Sequence, residues 1–117
     1  PQTAELIRHG RTIEAAERER DLAGCLELRE ELQSQLDRHH ADLWLTPPAP
    51  GPAPRGLAAT GDPVMNLPWT QAGMPALGLP AGVAANGLPL GLQLVARFGA
   101  DEQLLAWGAA LEQELAA

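Results

Sequence analysis

Few residues of this chain could do covalent chemistry. Ser34 is the only serine and there is no lysine, so a catalytic set that pairs a serine with a lysine cannot be completed from these residues. Cys25 is the only cysteine; it falls on what reads as the apolar side of a helix, where a cysteine behaves as a small hydrophobe. His39 and His40 invite a metal reading. Neighbouring helical residues point about 100° apart, so the two imidazoles do not share a face, and no Cys or Glu-x-x-His arrangement completes a site. The pair reads instead as helix-end histidines near the negative pole of the helix dipole. No metal or organic cofactor is expected.

Composition narrows the classes. The 117 residues are 45% hydrophobic and 20% charged, with a net charge of -7, which describes one globular domain at most. All eight positive charges are dispersed arginines, and binding to a nucleic-acid backbone needs a basic face. Direct nucleic-acid binding is therefore not expected. No apolar run approaches the roughly 18 residues of a membrane span, and no basic-then-apolar leader opens the chain, so a cytoplasmic address is the expectation. Pro1 is not an initiator methionine. That reads as a processed chain or a piece of a longer one.

The elements that would position functional residues fall into three stretches. Residues 1–41 are mainly helical. Glu5 to His9 reads as the end of a helix stopped by Gly10, and Thr12 to His39 reads as a second helix, with Thr12 as its cap and Glu14–Arg18 as an i,i+4 pair. In that helix Leu22, Cys25, Leu28, Leu32 and Leu36 lie on one side, and Glu27, Glu30, Glu31 and Ser34 on the other. Gly24 is its weak point. Residues 42–97 alternate strands with loops. Asp42 to Thr46 suits a short buried strand, and "PPAPGPAPRG" from Pro47 to Gly56 is loop, with a polyproline ligand for an SH3-like domain as the sharper alternative. Ala76 to Leu79 and Leu90 to Val95 are further strands, joined across "AGVAANG". The second is apolar on both faces, as in a central strand covered on both sides; within it, Gln93 is expected to satisfy buried backbone groups. From Asp101, residues 100–116 form a closing helix whose Leu104, Leu105, Trp107, Leu111 and Leu115 make a core stripe.

The stretch "GDPVMNLPWTQAGMPALGLPAG", residues 61–82, fits neither pattern. Gly or Pro interrupts it every few positions, which forbids continuous helix and leaves room for short extended pieces. Three apolar strands also need more helices and neighbours than the chain supplies. These residues read as completing a larger sheet, and the chain alone should expose sticky surface.

The strings "DLWLTPPAPGPAP", "TGDPVMNLPWTQAGMPALGLPAG" and "GLPLGLQLVARFGADEQLLAWGAALE", in that order, resemble the C-terminal part of the amidase signature family. The resemblance runs from about Asp42 to Glu114 and implies an α/β fold, here part of a mixed β-sheet flanked by helices. It implies hydrolysis of amide C–N bonds through a Ser-cisSer-Lys triad that lies outside this chain, so no residue here is expected to be catalytic. It further implies that the "TGD" turn borders the substrate channel, which picks Thr60, Gly61, Asp62 and Pro63, with Trp69 as a wall. Asp62 before Pro63 also reads as a turn cap, and Trp69 also reads as core. The implied partners are the N-terminal catalytic portion of the same enzyme and a small-molecule amide, with pairing of the open sheet against a second copy as another way to bury it. Within the family the alternative is the A subunit of a tRNA-dependent amidotransferase, whose pattern carries Asn where Thr70 stands here. Outside it, the alternative is a non-enzymatic interaction module built on the Pro-rich loop and the acidic helix.

Overall fold

A computed structural model describes residues 2–115. The chain runs through α1 (Gln2–Gly10), α2 (Ala15–Arg38), β1 (Trp44–Thr46), a 3-10 turn (Pro63–Met65), α3 (Leu67–Ala72), β2 (Ala76–Val83), β3 (Pro89–Val95) and α4 (Asp101–Leu115). The strands form one sheet in the order β1-β3-β2. Both pairings are antiparallel: Thr46 lies opposite Gln93, and Leu79 opposite Leu92, with a bulge between Pro80 and Gly82. The α/β class is as expected, and the doubly apolar strand is indeed central.

Period-two alternation along β3 splits the core between the two sheet faces. Leu94, Leu79, Ala96 and Leu104 form one buried cluster, with Leu77, Leu92, Trp107 and Leu111 packed against it, which places α4 on that face. Val95, Trp69, Ala72 and Met74 form the other, joined by Leu28, Leu32 and Trp44, which places α2 and α3 opposite. Sandwiching by helices on both faces is why neither side of β3 is polar in sequence.

Five expectations need correction, the first being the buried strand expected over Asp42 to Thr46, which runs only from Trp44 to Thr46 and leaves Leu45 exposed. The Gly/Pro-punctuated stretch holds a real helix, α3, because Pro68 sits in its first turn, where no N–H is needed, and Gly73 closes it at φ 65 in the left-handed conformation that glycine adopts freely. The second helix starts at Ala15 rather than Thr12; the Thr12 hydroxyl donates to the His9 carbonyl at 2.7 Å, closing α1 instead of capping α2. Leu22, placed on the packed side, is 52% exposed, because none of the described elements covers the first half of α2. On α4, Leu105 and Leu115 are exposed, and only Leu104 of the stripe is fully buried, with Trp107 and Leu111 half-buried. Residue 116 of the expected closing helix lies outside the described residues.

Long polar side chains lock the layers. Arg29 Nε donates to the Ala72 carbonyl at the end of α3, 2.6 Å away, while its guanidinium lies 3.7 Å above the Phe98 ring. Arg97 pairs with Asp37 at 2.7 Å, and the Phe98 N–H donates to Gln33 Oε1 at 3.1 Å. These contacts pin the loop after β3 to α2. His39 and His40 close α2, with the Ala41 N–H donating to the Leu36 carbonyl.

Candidate functional site

The Pro-rich loop after β1, the Thr60–Pro63 turn and the start of β3 surround a groove of about 820 Å³. Its lining comes from Pro47 to Pro54, from Thr60, Gly61, Asp62 and Pro63, and from Asn66 with Pro89, Leu90 and Gly91. Proline suits such a lining because its fixed φ keeps an unladdered backbone from sampling many conformations.

Each expected site residue has a definite place. Asp62 caps the 3-10 turn, its Oδ1 accepting from the Val64 N–H at 2.9 Å. A carboxylate has acceptor capacity beyond one bond, so this cap does not take Asp62 out of the groove. Gly61 adopts φ 99, and a methyl there would also meet Pro54 at 3.8 Å. Thr60 and Pro63 flank them. Trp69 lies elsewhere: it is 8% exposed within the α2–α3 cluster, 6.0 Å from Trp44 between ring centroids, and does not line this groove. The indole N–H groups of Trp44 and Trp69 are both buried without a partner among the described residues.

Spacing did not reveal a polar relay beneath the groove. The Thr46 hydroxyl donates to Gln93 Oε1 at 3.1 Å, Gln93 Nε2 donates to Asn66 Oδ1 at 2.8 Å, and Asn66 Nδ2 donates to the Pro48 carbonyl at 3.0 Å. Gln93 therefore bonds two side chains, not backbone groups. The reason is that both strands beside β3 occupy its ladder, which leaves the side chain to reach across the sheet face. One signal pointed there, a lone amide inside an otherwise apolar strand; Asn66, hidden between Met65 and Leu67, gave none.

Chemically, the groove offers one carboxylate, a hydroxyl, an amide and a mostly apolar lining. That set can select and orient a ligand. It contains no nucleophile with an adjacent base, and among the described residues no group of three or more His, Cys, Asp or Glu could hold a metal ion. No described helix is long and apolar enough to cross a membrane.

Comparison with known proteins gives this arrangement a context. The A subunit of the glutamyl-tRNA(Gln) amidotransferase of Gluconobacter oxydans is 43% identical over 84 residues, covering 66% of this chain and 17% of the relative. Its mitochondrial counterpart from Mycosarcoma maydis is 34% identical over 116 residues, covering 86% of this chain and 22% of the relative. A crystal structure described as an amidase superposes with a TM-score of 0.83 at 31% identity, over 97% of this chain and 28% of that one. This chain thus spans about a fifth of the curated relatives it matches. The family profile described as Amidase matches residues 2–105: the chain belongs to the amidase family.

Proposed function

We propose that this chain is the C-terminal portion of an enzyme that hydrolyses amide C–N bonds, and that it supplies part of the substrate pocket while the remaining polypeptide supplies the nucleophile. The observation that carries this reading is the groove between the Pro-rich loop and the Thr60–Pro63 turn, built in a family member that has no lysine and whose single serine, Ser34, does not line it. Thr60, Gly61, Asp62 and Pro63 are the residues assigned to the substrate. Trp69 is assigned to supporting α3 rather than to contact.

The chemistry divides accordingly. Acyl transfer from an amide needs an activated nucleophile and donors aimed at the developing oxyanion, and neither is assigned to this chain. Selection needs shape, an apolar lining and a few placed polar groups, and the groove has these. The 117 residues alone should be inactive. Combined with the missing portion they should release ammonia from simple amides, and a native-like complex that stays inert would overturn the reading.

A second reading is favoured by a specific observation: the relative at 43% identity belongs to a glutamyl-tRNA(Gln) amidotransferase. On that reading the same groove serves amide hydrolysis inside a larger assembly with further subunits. Thr70, where the amidotransferase pattern has Asn, speaks for a simple amidase, but one position weighs little against identity spread over 84 residues. Supplying glutamyl-tRNA and testing for amide transfer against free-amide hydrolysis separates the two.

A further inference from the structure

Pro48 is held from two directions. Its ring rests on β3 at Gly91, where an added Cβ would lie 2.9 Å from Pro48 Cγ, closer than non-bonded carbons approach. Its carbonyl accepts from Asn66, which is held by Gln93, which is held by Thr46. Every donor in this relay points the same way. Flipping the Gln93 amide would set its oxygen against Asn66 Oδ1, and flipping Asn66 would set its oxygen against the Pro48 carbonyl, so each orientation fixes the next.

Stability alone does not account for such a relay. Gln93 is 5% exposed in the central strand, and replacing both partners of a buried hydrogen bond by apolar groups of the same shape is often neutral or stabilising. What an apolar pair cannot do is fix one direction in space. We infer that Thr46, Gln93 and Asn66 are positioning residues that hold the Pro48 wall at a set distance from the Asp62 turn, and that this distance decides which amides the groove admits. The inference rests on the reading of the groove as a substrate pocket, and it makes Pro48 the specificity-determining contact.

The test uses the intact enzyme with acetamide, butyramide and hexanamide as probes, comparing wild type with Gln93→Leu, Thr46→Val and Thr46→Ser. Gln93→Leu removes the central link and Thr46→Val the first, so in each the orientation of Asn66 against the Pro48 carbonyl is no longer fixed from behind, and Thr46→Ser keeps its hydroxyl. Gln93→Leu and Thr46→Val should change the hexanamide-to-acetamide ratio of kcat/KM by about tenfold, mainly through KM, because small displacements of a pocket wall act on binding differences of that size. Thr46→Ser should keep the wild-type ratio. Crystal structures should show Pro48 displaced by roughly 1 Å in the two disrupting variants. An unchanged ratio with Pro48 in place, even where the melting temperature drops, would overturn the proposal. Should Gln93→Leu fail to fold, Thr46→Val carries the same test. If the wild type hydrolyses none of the three amides, the substrate reading fails, and the position of Pro48 alone then decides whether the relay positions the wall.

Discussion

Leu94 and Val95 are consecutive residues on opposite faces of β3, at 1% and 0% exposure, so each reports on a different half of the core. Leu94 joins the α4 cluster and Val95 the α2–α3 cluster. Leu94→Ala should lower the unfolding free energy by about 3 kcal/mol, since the lost transfer energy adds to a cavity that a close-packed sheet face cannot collapse. Urea unfolding of the intact protein measures it, and a loss under about 1 kcal/mol would mean that the face is looser than its burial implies. Gly73 is sensitive for another reason. At φ 65 it ends α3, and a methyl would come within 2.9 Å of the Arg29 guanidinium that caps the same helix. Gly73→Ala should cost about 1–2 kcal/mol from the left-handed backbone alone, and Arg29→Ala in the same background should relieve the crowding but not the strain. Residue-scale features of this kind were only partly legible in sequence. The Asp62 cap was legible as a carboxylate before Pro63, whereas the choice of Thr60 to Pro63 as channel residues came from the family resemblance. The relay through Thr46, Asn66 and Gln93 did not, because its members are separated by up to 47 positions and only folding brings them together.

Elements carry their own tests. α4 lies so close to β2 that a Cβ at Gly108 would collide with the Leu77 side chain. Alanine in a helix interior normally gains about 1 kcal/mol over glycine, yet here Gly108→Ala should be net destabilising because overpacking outweighs propensity. Adding Leu77→Ala should restore part of the loss, and a double-mutant cycle measures that coupling. On α2, hydrogen bonds from Arg38 and then Gln35, with the positive charge of Arg38, hold the Glu31 carboxyl below its ordinary value near 4.5. A lowered value in the folded state means the stabilisation is present above about 4.5 and is lost as pH falls through the lowered value. Glu31 and Arg38 are both exposed, so the effect is small and screened by salt. The melting-temperature gap between wild type and Glu31→Gln should therefore be small at neutral pH and close in acid. Legibility follows the same divide between local and non-local signals. The second half of α2 and the start of α4 could be read from one apolar stripe each, and the central β3 from a short run apolar on both faces. α3 could not: with six residues it is too short for a period, and its proline and glycine are the punctuation of a helix first turn and C-cap, which in isolation look like a loop.

At the scale of the whole molecule, the chain is too spread for its length. Its radius of gyration is 17.2 Å, against about 13 Å for a compact domain of this size. The cause is visible in the exposed apolar side chains. Leu6, Ile7 and Leu26 project from α1 and the first half of α2, and Leu45 projects from β1 at 57% exposure. On the α4 face, Leu43, Leu45, Trp107 and Leu111 line an open hollow, and both outer strands keep a free edge among the described residues. Apolar surface on this scale and unpaired strand edges are rare on stable monomers. The isolated 117-residue chain should bind an apolar dye strongly, and its sedimentation coefficient should rise with concentration. On the proposed reading, adding the catalytic portion should abolish both effects, because the same residues would then be core. A dye-silent chain that sediments as a monomer at every concentration would instead mean that its own helices cover the sheet, the behaviour of a self-sufficient interaction module. The two outcomes differ in what the Pro-rich groove is for: a pocket wall that matters only beside a catalytic portion, or a surface that a partner meets directly.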